Sequence, residues 1–173
     1  MPVNARTIFR WAVFTALASA LIHVVVVAVM PWMVMKRVFA ETGDRSGYNR
    51  MIHAAPVDAA ARMLPRPAPD LAYSICPFDL AAGPVRIVFG VPGDRASVTA
   101  YGGDTENFLT LTGADLAAGE VTLATEAQVA DLGGRVVVAP GERGVVLIRR
   151  LVRRPADWES VERERADIAC GPA

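Results

Sequence analysis

Between residues 11 and 35 the chain reads WAVFTALASALIHVVVVAVMPWMVM, without Asp, Glu, Lys or Arg. No other stretch constrains the fold as much, because roughly 20 uncharged residues in helical form cross a hydrocarbon core. Arg6 and Arg10 precede the run, and Lys36 and Arg37 follow it. Trp11 and Trp32 stand near its two ends, where indole rings favour a membrane interface. The run therefore reads as a single transmembrane helix over 11–35, after a short tail over 1–10. The competing reading is a cleaved signal peptide. Val26, Val27 and Ala28 would then supply the cleavage box, yet the run outlasts a signal core of roughly 7–15 residues. Basic residues are nearly balanced across the span, Arg6 and Arg10 against Lys36, Arg37 and the more distant Arg45. The short tail favours a signal anchor. The expected localisation is the inner (cytoplasmic) membrane, single-pass, with the C-terminal domain in the periplasm.

His23 lies in the middle of the span, and an ionisable group at that depth is a candidate functional residue. The plainer reading is a neutral imidazole in helix association, with Ser19 one turn earlier on the same face. Haem ligation by His23 has no other support in the sequence.

Residues 36–70 read as a juxtamembrane region and proline-rich linker. The helix is expected to run to Phe39 or Ala40 and to stop near Gly43 and Gly47. A short helix is expected from Val57 to Leu64. Prolines at 65, 67 and 69 then favour an extended, semi-rigid spacer. His53 reads as exposed or locally hydrogen-bonded.

From residue 71 to 173 the texture is β-rich. Pro77 interrupts Tyr73 to Phe78 and suits an edge or a bulge. Val85, Ile87 and Phe89 alternate with Arg86, and Val98 and Ala100 alternate with Ser97, Thr99 and Tyr101. Turns are expected at AAGP, VPGDR and GGDTEN. RVVVAP and GVVLIRRLV are the strongest strand signals, and PGER between them reads as a hairpin loop. About seven short strands at this spacing suggest an antiparallel sandwich or a partly open barrel. The period then changes: Trp158, Val161 and Ile168 fit one face of a C-terminal helix that starts near Pro155 and stops at Gly171 and Pro172. The expected fold is mainly β, an antiparallel β-sandwich or partly open barrel with a C-terminal helix, preceded by one transmembrane helix.

The chain holds 18 acidic and 18 basic residues, so no basic excess points to nucleic acid. Cys76 and Cys170 are the only cysteines. Outside the cytoplasm, an even and widely separated pair favours one disulfide, tying the last helix to the first strand. Two distant cysteines without a histidine pair make no metal set. His53 precedes the linker, so a Ser–His–Asp triad within the β-domain is not available. Asp104 and Glu106 in one loop read as a polar turn. No glycine cluster opens a helix as a phosphate loop would, so no cofactor is expected. Arg149, Arg150, Arg153 and Arg154 read as a solvated edge, with contact to anionic headgroups as the alternative.

The stretch YSICPFDLAAGPVRIVFGVPGDRASVTAYGGDTENFLTL resembles the bacterial domain-of-unknown-function 1254 family over roughly residues 70–150. Tyr73, Asp79, Leu80, Gly83, Pro84, Val85, Tyr101, Asn107 and Phe108 carry the likeness. The resemblance implies a β-domain that larger members join to a second β-rich domain. This chain resembles a small membrane-anchored subtype, whose companion domain is a separate membrane protein. The resemblance brings no catalytic residues with it. Two functions follow as expectations. The first is a noncatalytic envelope protein that pairs with a companion membrane-anchored β-rich protein. The second is a small-ligand or lipid-handling module, or an enzyme accessory subunit, with Tyr73, Tyr101, Asn107 and Phe108 as candidate pocket residues and Asp79 as a candidate interface residue. A standalone enzyme is a third reading.

Overall fold

The computed structural model describes residues 4–57, 67–90 and 96–173. It opens with α1 (Ala5–Glu41), a helix of 37 residues. The Asn4 side chain caps it by accepting from the Arg6 N–H at 3.1 Å. Its most apolar window has a mean hydropathy of 2.5 and is not buried against any other described part. The helix is long and apolar enough to cross a membrane.

A short helix α2 (Gly43–Ser46) follows, and then a two-sheet sandwich. Its strands are β1 (Ile52–His53), β2 (Leu71–Asp79), β3 (Val85–Val88), β4 (Ala96–Gly102), β5 (Asn107–Thr112), β6 (Glu120–Ala124), β7 (Val136–Val138), β8 (Arg143–Leu151) and β9 (Ala169–Pro172), with α3 (Trp158–Arg165) between β8 and β9. One sheet has the order β1-β2-β8-β4-β5 and the other β7-β6-β3-β9. Every pair is antiparallel except β6 with β7. The sheets do not close on each other, so the architecture is a sandwich rather than a barrel.

Alternation explains the core. Cys76, Phe78, Val98, Ala100, Val146 and Ile148 face inward from the first sheet, and Val85, Ile87, Val121 and Leu123 meet them from the second. Full burial of a side chain such as Phe78 or Ile87 contributes roughly 1.5–3 kcal/mol. Gly144 on β8 has no room for a side chain. A Cβ there would collide with the Tyr101 carbonyl oxygen and the Phe78 ring.

Several expectations need correction. PGER does not close a hairpin. β7 lies parallel to β6 in one sheet and β8 lies in the other, so this loop crosses the sandwich. The C-terminal helix ends at Arg165, and Ala169–Pro172 forms β9 beside β3. Ile168 therefore belongs to the main core, whereas Trp158 and Val161 pack with Ala72 and Val152. The Val57–Leu64 helix falls largely on 58–66, and the VPGDR turn on 91–95, outside the described residues. Pro77 sits within a continuous strand, but its carbonyl accepts from the Asn49 N–H at 2.8 Å. Its missing N–H thus faces the side where the two-residue β1 has already ended, which is why the sheet tolerates it.

The structure joins Cys76 to Cys170 in a disulfide, with the Cα atoms 6.3 Å apart. Because Cys76 is on β2 and Cys170 on β9, the bond ties the two sheets together rather than the helix to a strand. Closing a 94-residue separation stabilises by about 4 kcal/mol on the chain-entropy argument. Urea unfolding of the full chain in detergent tests this. The Cys76→Ala/Cys170→Ala variant is expected to lose about 2–5 kcal/mol, and an unchanged midpoint would contradict it.

Candidate functional site: a cleft between the long helix and the sheet

The last turns of α1 lie on the outer face of the first sheet. Met35 is buried against Ile75 and Val145, with Val38, Phe39 and Leu147 around them. The end of the helix thus reaches the sheet directly, while the expected proline spacer begins at Pro65, outside the described residues. Thr42 closes the helix by donating both its N–H and its hydroxyl to the Val38 carbonyl.

Tyr48 then folds back over Gly43, where any side chain would strike its ring. The ring is 6.4 Å from that of Phe39, and the Arg143 guanidinium lies over it at 5.0 Å. The Tyr48 hydroxyl donates to Asp44 at 3.1 Å. Partial burial, and then this carboxylate, push the phenol pKa up. Arg143 donates from Nε to Asp79 at 2.7 Å, and that bond raises the guanidinium pKa further. Arg143 is 56% exposed, so the pair itself contributes at most about 1 kcal/mol.

Asn49 does more for the geometry. It sits at φ 56, a left-handed conformation that Asn tolerates. Its side-chain amide donates to the Asp79 carbonyl at 2.8 Å, and its side-chain oxygen accepts from the Asp79 N–H at 2.7 Å. One side chain thus satisfies both main-chain groups of Asp79 where no strand is present to do so.

These contacts leave a cleft of about 630 Å³ between helix and sandwich. Trp32, Lys36 and Phe39 form the helix wall. Gly103 and Asp104 of the β4–β5 turn, Pro140 to Glu142 before β8 and Arg143 at its start form the other. Lys36 and the Glu142 carboxylate, one on each wall, have no side-chain partner among the described residues.

The residues singled out from sequence do not converge on one pocket. Tyr73 is buried, accepts from the Ala68 N–H through its hydroxyl at 2.9 Å, and lies in register with Arg149. Tyr101 pairs with Asn107, four residues along β4 from Ser97, which shares the Arg149 register. Asn107 accepts from the Thr110 hydroxyl at 3.1 Å. Phe108 packs edge-on against Phe78 at 6.2 Å. Asp79 is held by Arg143 and caps the Ala81 N–H at 2.9 Å. His23 is on the exposed surface of α1. His53 is indeed locally bonded, Nδ1 to the Ser74 hydroxyl at 2.9 Å. Asp104 accepts from the Glu106 N–H at 3.0 Å in the polar turn expected for that loop.

Sequence reasoning missed two buried arginines. Arg165, 3% exposed, donates to the carbonyls of Tyr73 at 2.9 Å and Ala54 at 2.8 Å, and pairs with Glu162. It also lies over the Trp158 ring at 5.4 Å. Arg150, expected in a solvated cluster, is 7% exposed and bonds to Glu164 and the Phe89 carbonyl, each at 3.0 Å. Arg149 and Arg150 occupy the end of β8 remote from Arg143, about 20 Å along the strand, and Arg153 and Arg154 follow it. That places them away from the helix junction. The signal available for Arg165 was its Trp158 neighbour seven residues earlier, two turns along one helix face.

Compared with known families, residues 48–172 match the one described as Protein of unknown function (DUF1254). The chain belongs to this family. The DUF1254 match starts at Tyr48 and so takes in the sandwich wall of the cleft, while α1 lies outside it. No curated protein matches. Among solved structures, the VPA0106 protein of Vibrio parahaemolyticus is similar at a TM-score of 0.63 and 10% identity, over 84% of this chain and 36% of that one. An uncharacterised Burkholderia cenocepacia protein matches more weakly, at a TM-score of 0.43 and 14% identity, over 75% of this chain and 37% of that one. The chain thus spans little more than a third of either structure's length.

Asn49→Ala is expected to lower stability by about 1–3 kcal/mol, because it strands the Asp79 N–H and carbonyl. Denaturant unfolding in detergent reads this directly. For His53, partial burial and the nearby Arg165 hold the imidazole pKa below its ordinary 6.5. The unfolded chain therefore binds the proton more readily, and stability falls as pH drops from 6.5 towards the lower folded value. Melting in detergent at about pH 7.5 and about pH 5.5 should show a smaller acid-induced decrease in His53→Gln than in the parent.

Proposed function

We propose that this protein is a noncatalytic, membrane-anchored module of the bacterial envelope that pairs with a companion membrane β-domain protein. In this reading α1 crosses the inner membrane and the sandwich lies in the periplasm, where the Cys76–Cys170 disulfide persists.

The observation that carries the pairing is the place of β5 at the end of its sheet, with no further strand beside it among the described residues. The carbonyls of Tyr73 and Pro77 accept from the β1 side. Alternation through the register of β2, β8, β4 and β5 then turns the main-chain groups of Thr110 and Thr112 away from β4. The strand reads NFLTLT, with no charge and no proline. Edges that must stay single are normally blunted by such residues, and an unblunted edge is a template for another strand. The Vibrio structure, in which a fold like this one occupies 36% of the chain, supports the idea that the sandwich works beside further chain. The polar residues that invite a catalytic reading are already engaged: Asp79 by Arg143, His53 by Ser74 and Asn107 by Thr110.

A photo-crosslinking residue at Thr110 or Thr112 of the full chain, activated in intact cells, tests the reading. It is expected to capture one membrane-anchored β-rich protein, with no capture from Arg86 on the exposed face of β3. Thr110→Pro removes an edge N–H without touching the β4 ladder, and recovery of the complex should fall at least about tenfold, the cost of roughly one charge-free hydrogen bond plus strand clash. Equal capture from all three positions, or full recovery with the proline variant, would refute pairing through β5.

A further inference from the structure

We infer that the cleft between α1 and the sandwich binds the headgroup of a zwitterionic phospholipid bearing a primary ammonium, phosphatidylethanolamine. The inference rests on the proposal that α1 crosses the membrane.

Position selects the class of occupant. The uncharged run ends at Met35, and Lys36 is the first charged residue after it. Trp32 and Lys36 are one turn apart and both face the cleft. Tryptophan and lysine at the end of a span mark the headgroup level. A cleft that opens there meets lipid before it meets any dilute solute.

Charge selects the headgroup. Lys36 has no side-chain partner among the described residues and stands on the helix wall, where a lipid phosphate lies. The Glu142 carboxylate has no partner on the opposite wall. Asp104 stands beside it with one oxygen already accepting from the Glu106 N–H. Arg143, the other cation of the cleft, is taken up by Asp79 and by the Tyr48 ring. The lining thus offers a cation on the helix wall and a carboxylate on the sandwich wall, the complement of phosphate and ammonium joined by a short linker. An anionic headgroup would satisfy Lys36 and be repelled by Glu142. A quaternary ammonium would give Glu142 its charge but no N–H to accept. The volume of about 630 Å³ lies within the ordinary range for small-molecule sites.

The full chain in nanodiscs of phosphatidylethanolamine mixed equally with phosphatidylcholine or phosphatidylglycerol, released and weighed by native mass spectrometry, tests this. Phosphatidylethanolamine should be retained at least about tenfold over either competitor. Lys36→Gln and Glu142→Gln, both at exposed positions, should each erase most of that preference while leaving the melting temperature unchanged. Arg154→Gln, three residues beyond the far end of β8, should leave the preference intact. Equal retention of the three lipids, or a preference that survives both cleft variants, would overturn the inference. So would displacement of the lipid by soluble phosphoethanolamine at comparable concentration, which would make the source a free metabolite. Resistance of the chain to alkaline carbonate extraction is measured in parallel. A resistant chain without lipid preference refutes the cleft alone, whereas an extractable chain refutes the membrane reading and the cleft with it.

Discussion

Both faces of β2 are covered, and the rest of the molecule is arranged around that fact. Seven consecutive residues of this strand, Ala72 to Phe78, are buried. Its inner face puts Cys76 and Phe78 into the sandwich core. Its outer face receives Met35 at Ile75. Along its free side, Asn49, the two-residue β1 and Arg165 supply main-chain partners in succession. A strand buried on both faces normally has neighbours on both edges. Here one of those neighbours is assembled from a side-chain amide, a dipeptide bridge and a guanidinium.

The buried arginines follow from the same need. Arg165 reaches β2 from α3, adding a second donor to the Tyr73 carbonyl, which already accepts from the Ala54 N–H, and supplying one to the Ala54 carbonyl. Arg150 reaches the Phe89 carbonyl just past the end of β3. Arg165 is itself the last residue of α3 and pairs with Glu162 three residues earlier, whereas Arg150 pairs from β8 with Glu164 of α3. α3 is thus held to the open end of the sandwich by charge as well as by Trp158 and Val161. Glu164 and Glu162 are 51% and 40% exposed, so each pair joins a buried guanidinium to a half-solvated carboxylate and is weaker than a fully buried pair.

Periodicity made the helix and most strands legible. The uncharged run needed only its length, and β3 and β4 needed only alternation at Val85, Ile87, Val98 and Ala100. What failed was information that is not local. RVVVAP and GVVLIRRLV look like hairpin partners because they are adjacent, yet β7 is drawn to β6 by pairing that begins at Thr122 and Val136. ACGP looks like a helix stop because Gly and Pro end helices, but beside β3 it completes a sheet edge. Tyr73 looked like a pocket residue because aromatics serve both roles, and only its register with Arg149 shows that it is far from Asn107. The cleft was invisible for the same reason: Lys36, Asp104 and Glu142 are brought together by a helix landing on a sheet, and no spacing in the chain records that landing.

The landing also has a mechanical meaning. A flexible tether would let the sandwich wander over a hemisphere. A helix that continues unbroken into a buried contact at Met35 behaves instead as the shaft of a rudder. Because Met35 is packed on the sheet, α1 and the sandwich meet at a contact rather than through slack chain, and a change in the angle of one bears on the other there. Two such proteins with shafts in a common plane would present their edges at a fixed height and a narrow range of bearings. Encounter between them then becomes a search over two dimensions and one angle.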